Sequence, residues 1–212
     1  MAVAATPSEI AFLPAQIVHI VEDDEQFRLS LKDLFQALDI QAEAFEDAVD
    51  FFARAPRVTA GCVLIDVRLP GLNGIEFQRE LDTRGYDLPV IFMTAHGDVA
   101  TSVNAMKGGA VDFLQKPLQT AELLEAINTA FMIDSDKYQK RAYRQAISRR
   151  AETLTPRERQ VLGFVTRGLM NKQIAYELGI SEIMVKLHRG SGMKKMQASS
   201  LAELVRQFEV LD

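Results

Sequence analysis

Four apolar runs in the first 120 residues each end in a polar group of reactive type. Ile17–Val21 is closed by Asp23 and Asp24, Cys62–Ile65 by Asp66, Val90–Met93 by Thr94, and Asp112–Leu114 by Lys116-Pro117. Near-continuous apolar runs fit parallel strands covered on both faces. Ala42–Phe45 and Asp112–Leu114 are shorter, edge-like candidates. Between them, Phe27-Leu31-Leu34-Phe35-Leu38, Ile75 to Leu81, Val99-Val103-Met106 and Leu123-Leu124-Ile127-Phe131 recur at helical spacing. Five β-α alternations predict a doubly wound α/β domain with a five-stranded parallel sheet. The carboxyl ends of such strands share one edge, where these folds bind ligands.

Carboxylates, a hydroxyl and an ammonium on that edge suit a hard cation and a phosphoryl group. Mg²⁺, with Mn²⁺ as a substitute, takes oxygen ligands and keeps several waters. Asp24 and Asp66 can supply direct carboxylates, Asp23 can act through water, and the Arg68 backbone carbonyl adds another oxygen. Asp66 is the candidate nucleophile for acyl-phosphate chemistry. Lys116 offers a compact cation for phosphate oxygen and Thr94 a hydroxyl donor. Taken singly, an Asp at a strand end is as readily a helix cap. Their joint occurrence at successive strand ends is what carries the reading.

Charge divides the chain. Residues 1–133 hold 9 Lys+Arg against 20 Asp+Glu, whereas residues 134–212 hold 15 against 9. The acidic part suits a cation site and the basic part a polyanion. Residues 1–15 are expected to be an extension that is not a signal peptide, because no basic segment precedes its apolar part. Apolar runs fall short of the roughly 18 residues a membrane span requires. The expectation is therefore a cytoplasmic protein without membrane contact. The one cysteine, Cys62, excludes an internal disulfide and reads as a small buried hydrophobe. His19 reads as a packed strand residue and His96 as a loop residue.

From Lys137 to Arg150 there are six basic residues and no acid. Residues 134–152 are expected to form a basic helical linker. Beyond it, Thr155-Pro156-Arg157-Glu158 is a helix start with a capping box and Pro at the first position. Asn171 is expected to cap a second helix through Leu178, Gly179 to supply a turn, and Ser181 to cap a third. A fourth spans about Ser200 to Phe208. Two short helices around a Gly-containing turn predict a four-helix, helix-turn-helix domain at 153–212.

Residues 16–133 resemble the receiver domain of two-component response regulators. The matching pieces are Val-Glu-Asp-Asp (21–24), Leu-Ile-Asp-Val-Arg-Leu-Pro-Gly-Leu-Asn-Gly (64–74), Met-Thr-Ala-His-Gly-Asp (93–98) and Ala-Val-Asp-Phe-Leu-Gln-Lys-Pro (110–117). The resemblance implies a flavodoxin-like fold, with Asp66 as phosphoryl acceptor and Asp23 and Asp24 as the metal-binding acids. It implies Thr94 as switch hydroxyl, Phe113 as aromatic switch, Lys116 as phosphate contact and a cis Lys116-Pro117 bond. Residues 153–212 resemble the LuxR-type helix-turn-helix domain, through Leu154 to Leu162, Gly168 to Ala175, Leu178 to Ser181 and Val185 to Arg189. Together the halves resemble FixJ/NarL-type regulators.

That resemblance implies a recognition helix at 182–196, with Lys186, Arg189 and His188 toward DNA and Lys172, Lys194 and Lys195 toward phosphates. Arg189 is the expected base reader, since Arg pairs with guanine. Met184 stands where Thr is usual. Gly190 and Gly192 each cost about 1 kcal/mol relative to Ala. Gly192 also lies on the stripe Val185-Gly192-Met196, so a recognition helix that firms up on DNA is expected. The implied partners are a sensor histidine kinase, double-stranded promoter DNA, RNA polymerase and a second copy on phosphorylation. Family analogy sets the dimer surface near Val99, Val103, Met106 and Phe113, with helix Ser200–Phe208 pairing on DNA. Self-dephosphorylation is the most enzyme activity expected. The alternatives are a constitutive DNA binder with the receiver as scaffold, and an Mg²⁺-dependent phosphohydrolase, for which no substrate-recognition insertion is evident.

Overall fold

The computed structural model describes residues 15–57, 59–95 and 105–211. His96, Val99, Val103 and the extension up to residue 14 lie outside the described residues. Two compact units emerge, 1–138 and 139–212.

The first unit contains strands β1 (Ile17–Val21), β2 (Ala42–Phe45), β3 (Gly61–Asp66), β4 (Val90–Thr94) and β5 (Asp112–Gln115). All pair in parallel, in the order β2-β1-β3-β4-β5. Alternate side chains along each central strand enter two separate cores, as the period-2 geometry of a strand requires. Val63, Ile65, Val90 and Phe92 pack with Phe51, Phe77 and Leu81 of helices α2 (Ala48–Arg54) and α3 (Gly74–Thr83). Cys62, Leu64, Ile91 and Met93 pack with Leu31 and Phe35 of α1 (Glu25–Ala37) and with Leu123 and Ile127 of α4 (Thr120–Glu152). Each fully buried aliphatic or aromatic side chain contributes about 1.5–3 kcal/mol. Strands covered on both faces have no choice of register without exposing that surface.

Helix α4 runs through the expected linker. Asp134 is buried, and its Oδ2 accepts from the Gly61 amide at 2.9 Å, while Lys137 pairs with Asp87 at 2.6 Å. Ile147 and Ala151, further along, belong to the second unit's core. The stretch 134–152 is thus helix, with Asp134 buried near its start and Ile147 and Ala151 buried near its end. The sequence hides this because those buried residues are few and set among charges.

His19 is buried in β1 between Phe45 and Phe51, with ring centroids 6.0 and 5.8 Å away. Its Nε2 lies 3.1 Å from Thr59 Oγ1. Its Nδ1 has no hydrogen-bond partner, and the half-exposed Glu43 carboxylate is 3.8 Å away. Burial lowers its pKa from 6.5 to about 4. The unfolded chain therefore binds more protons between these values. Stability is expected to be full above about pH 6.5 and to fall by about 2–3 kcal/mol as pH drops to about 4. Urea-dependent amide protection of β1 and β2 across that range checks this, and His19→Gln should flatten the profile.

The second unit contains α5 (Pro156–Thr166), α6 (Asn171–Leu178), α7 (Glu182–Met196) and α8 (Leu201–Glu209). Val161, Leu162, Val165, Ile174, Val185, Met196 and Leu204 form its core. Thr155 and Glu158 complete the expected capping box, Ser181 caps α7, and Gly179 ends α6 at φ 63°. The left-handed conformation at Gly179 is one that a Cβ disfavours. The cap of α6 is one residue earlier than expected: the Met170 amide donates to Gln173 Oε1 at 2.8 Å, and Asn171 is already helical.

Candidate phosphoryl site and nucleic-acid interface

At the carboxyl edge of the sheet, β3 delivers Asp66 and the β5 end delivers Lys116. The Lys116 ammonium forms an ion pair with Asp66 Oδ2 and a second with Glu22 Oε2 at 2.7 Å. The other Asp66 oxygen accepts from the Arg68 amide at 2.6 Å. Lys116 Nζ also lies 4.3 Å from the centre of the Phe27 ring, a cation–π contact worth roughly 0.5–2 kcal/mol. The cis Lys116-Pro117 bond is present, and the Lys116 amide donates to the Thr94 carbonyl at 2.7 Å. Residues 50 and 94 positions apart in the chain thus meet at one ammonium.

Glu22 was not among the expected site residues, whereas Asp24, expected as a direct metal ligand, is a helix cap. Only 1% of Glu22 is exposed. Asp24 is solvent-exposed and serves as the N-cap of α1, its Oδ1 accepting from the Phe27 amide at 2.9 Å. A carboxylate committed to helix capping is not the acid that meets Lys116; Glu22 is. The available signal was Asp immediately ahead of Glu25 and an amphipathic helix, which is N-cap chemistry. Arg28 is a second omission: its Nη1 donates to the carbonyls of Glu22 at 2.6 Å and Asp23 at 3.2 Å, fixing the acidic turn. Burial pushes the Glu22 carboxyl above its ordinary range, opposed by the hydrogen bond from Lys116. Burial works against the Lys116 charge, but hydrogen bonds to Asp66 and Glu22 outweigh it and raise its pKa.

Asp23 is exposed and lines a cleft of about 510 Å³ with Val67, Arg68, Leu69, Pro70, Asn73 and Ile75. Gly74 lets this loop close on the strand: a Cβ there would stand 2.9 Å from the Asp66 carbonyl and from Phe92. Among the described residues no three His, Cys, Asp or Glu side chains form a ready metal cage. Mg²⁺ does not require one, since it is commonly held by one or two carboxylates and several waters. Glu22, Asp23, Asp66 and the Arg68 carbonyl are all hard oxygen donors, and that donor set fits such an ion. Thr94 is buried at the end of β4. Phe113 is half-buried on β5, its ring 6.3 Å from Phe92.

On the second unit, Lys172, Lys186 and Lys194 are exposed, and His188 is half-buried. Two expected DNA contacts are engaged within the fold. Arg189 Nη1 donates to Asn171 Oδ1 at 3.3 Å, which ties α7 to the start of α6. Lys195 pairs with Glu158 Oε2 at 2.7 Å, and Ser191 donates to Glu158 Oε1 at 2.6 Å. Gly192 leaves no gap in the core. A Cβ there would lie 2.9 Å from Leu162 Cδ1 and 3.1 Å from its Cγ, so Leu162 fills the space a branched residue would take. Among the described residues no helix is long and apolar enough to cross a membrane.

The chain is similar to known proteins over most of its length. The response regulator receiver domain model matches residues 18–128, and the model for bacterial regulatory proteins of the luxR family matches residues 152–208. Nodulation protein W of Bradyrhizobium diazoefficiens is 46% identical over 197 residues, covering 92% of this chain and 86% of that protein. Response regulator protein TodT of Pseudomonas putida is 40% identical, covering 93% and 87%. The structure of response regulator StyR matches with a TM-score of 0.82 at 40% identity, covering 92% of this chain and 98% of that one. Full-length FixJ from B. japonicum matches with a TM-score of 0.57 at 39% identity, covering 93% and 98%.

Proposed function

Because the chain belongs to the two-component response regulators that join a receiver to a LuxR-type DNA-binding domain, we propose that Asp66 is its phosphoryl acceptor and that phosphorylation controls dimerisation and promoter binding. The observation that carries this is the meeting of Asp66, Lys116 and Glu22 at the carboxyl edge of the sheet. A carboxylate oxygen of Asp66 attacks the phosphorus of a phosphohistidine on a sensor kinase. The new O–P bond forms as the P–N bond breaks, and the imidazole nitrogen keeps the electron pair. Glu22, Asp23, Asp66 and the Arg68 carbonyl would hold Mg²⁺, or Mn²⁺ in its place; that ion neutralises charge on the phosphoryl oxygens. Lys116, already paired with Asp66, follows the negative charge onto those oxygens. The Thr94 hydroxyl donates to one of them, and Phe113 repacks in response.

The proposed partners are the sensor histidine kinase, double-stranded promoter DNA, RNA polymerase and a second copy of the chain. Helix α7 would enter the major groove, with Lys186 and His188 facing DNA and Lys172 and Lys194 facing phosphates. Arg189 and Lys195 act instead as positioning residues through Asn171 and Glu158. Intact mass after incubation with acetyl phosphate and Mg²⁺ tests the acceptor. Wild type should gain one phosphoryl group, and Asp66→Asn and chelated samples none; uptake by Asp66→Asn would sink the assignment. Promoter binding by Asp66→Asn as tight as that of phosphorylated wild type would favour the alternative of a constitutive binder with a scaffold receiver.

A further inference from the structure

One exposed stripe of α7 is apolar where a DNA-reading helix would ordinarily offer hydrogen bonds. Val185, Gly192 and Met196 are its buried side. Opposite them, at steps of four, three and four residues, stand Ile183, Leu187, Gly190 and Lys194 on one stripe. Ile183 is 78% exposed and Leu187 63%. Single exposed aliphatic residues need no explanation, but two successive turns of one stripe do. From Ile183 to Gly190 this stripe carries no side-chain donor or acceptor.

Gly190 sharpens the point. Gly192 is explained by Leu162, but a Cβ at Gly190 would meet nothing within 4 Å. Packing within the chain does not require glycine there, although an interior helical glycine carries a propensity penalty. The remaining physical use of a missing side chain on an exposed helix face is close approach of that backbone to an external partner. The unit is basic, with 14 Lys+Arg against 7 Asp+Glu in residues 139–212. Lys186 flanks the stripe and Lys194 ends it, so charge complementarity selects a nucleic-acid duplex as the occupant. In the major groove the apolar feature on base edges is the thymine C5-methyl group.

Resting on the placement of α7 in the major groove, we infer that Ile183 and Leu187 read thymine methyl groups and that Gly190 lets the helix backbone sit close to the bases. The orientation of Arg189 toward Asn171 agrees, since the usual guanine reader is turned to an internal contact. The regulator selects thymine-bearing positions by apolar contact, not guanine by bidentate bonding.

The test uses the full chain with Mg²⁺ and beryllofluoride, and a randomised duplex library enriched for binding. The enriched pool is remade with thymine or with uracil, which keeps every hydrogen-bonding group and lacks only the methyl. Loss of one buried methyl corresponds to about a fourfold weakening, so wild type should bind the uracil pool about fifteenfold less tightly when two methyls are read. Leu187→Ala with Ile183→Ala should bring the two pools to equal affinity. Gly190→Ala should raise the thermal midpoint of the free protein yet weaken binding to the thymine pool. Equal affinity of wild type for both pools would overturn methyl reading, and undiminished binding by Gly190→Ala would overturn the close approach. Lys186→Ala reports on the underlying placement. Unchanged affinity for both pools, or failure of wild type to enrich any duplex, would overturn the groove placement itself.

Discussion

Glu22→Gln is expected to slow Mg²⁺-dependent phosphoryl uptake at Asp66 by about 10–100-fold, without lowering thermal stability. Asp24→Ala, two residues along the chain, is expected to leave uptake unchanged and to remove about 1 kcal/mol of stability through loss of the α1 cap. The contrast follows from burial. Glu22 is enclosed, and desolvation pushes its carboxyl up while Lys116 pulls it down. A charge kept where desolvation opposes it is a functional feature that structure tolerates at a cost. Glutamine removes that charge but retains an acceptor for the Lys116 ammonium, whose other partner, Asp66, remains. Asp24 already spends its carboxylate on the Phe27 amide. Initial rates of intact-mass gain across an Mg²⁺ series, with thermal unfolding of each variant, decide the matter. Normal uptake by Glu22→Gln with loss in Asp24→Ala would return the metal role to Asp24.

The difference between those two acids shows where sequence reading stops. Asp66, Thr94 and Lys116 could be placed because each follows a strand whose apolar run ends without ambiguity. After Val21 come Glu22, Asp23 and Asp24 in succession, and hydrophobicity does not say which acid remains with the sheet and which starts the helix. Two positions in the chain separate a buried partner of Lys116 from a solvated cap. The three central strands β1, β3 and β4 were legible for the complementary reason: alternate residues serve two cores, so the runs are almost wholly apolar. On the basic unit, the capping box of Thr155 and Glu158 is local and could be read directly. Its extension to Ser191 and Lys195 joins residues 33 and 37 positions apart, which no local pattern reports. Counting positive charges likewise does not separate Lys195, which pairs with Glu158, from Lys194, because an ammonium used internally looks the same in a sequence as one that waits for phosphate. Gly192 read as lost packing for a related reason: the side chain that fills its place, Leu162, comes from another helix.

That internal use of charge leads to the second large effect. Glu158→Ala is expected to destabilise the helix-turn-helix unit by about 2–4 kcal/mol. Glu158 accepts from the Thr155 amide at 2.8 Å, from Ser191 Oγ at 2.6 Å and from Lys195 Nζ at 2.7 Å, so truncation removes three hydrogen bonds to one charged acceptor. It also releases α7 from α5, the contact that aims the proposed recognition helix. The hydrogen bonds from Lys195 and Ser191 lower the Glu158 carboxyl from 4.5 to about 2. Because the folded value lies below the unfolded one, this stabilisation is complete above about pH 4.5 and is lost as pH falls toward about 2. Urea-dependent amide protection of α5 and α7 should show that loss in wild type and a flatter profile in Glu158→Gln. DNA binding separates the internal role of Lys195 from a phosphate contact. Lys194→Met should reduce the slope of log affinity against log salt by about 1, whereas Lys195→Met should weaken the unit's protection and leave the slope where it is. A slope reduced equally by both substitutions would make Lys195 a phosphate ligand and Glu158 merely its resting partner.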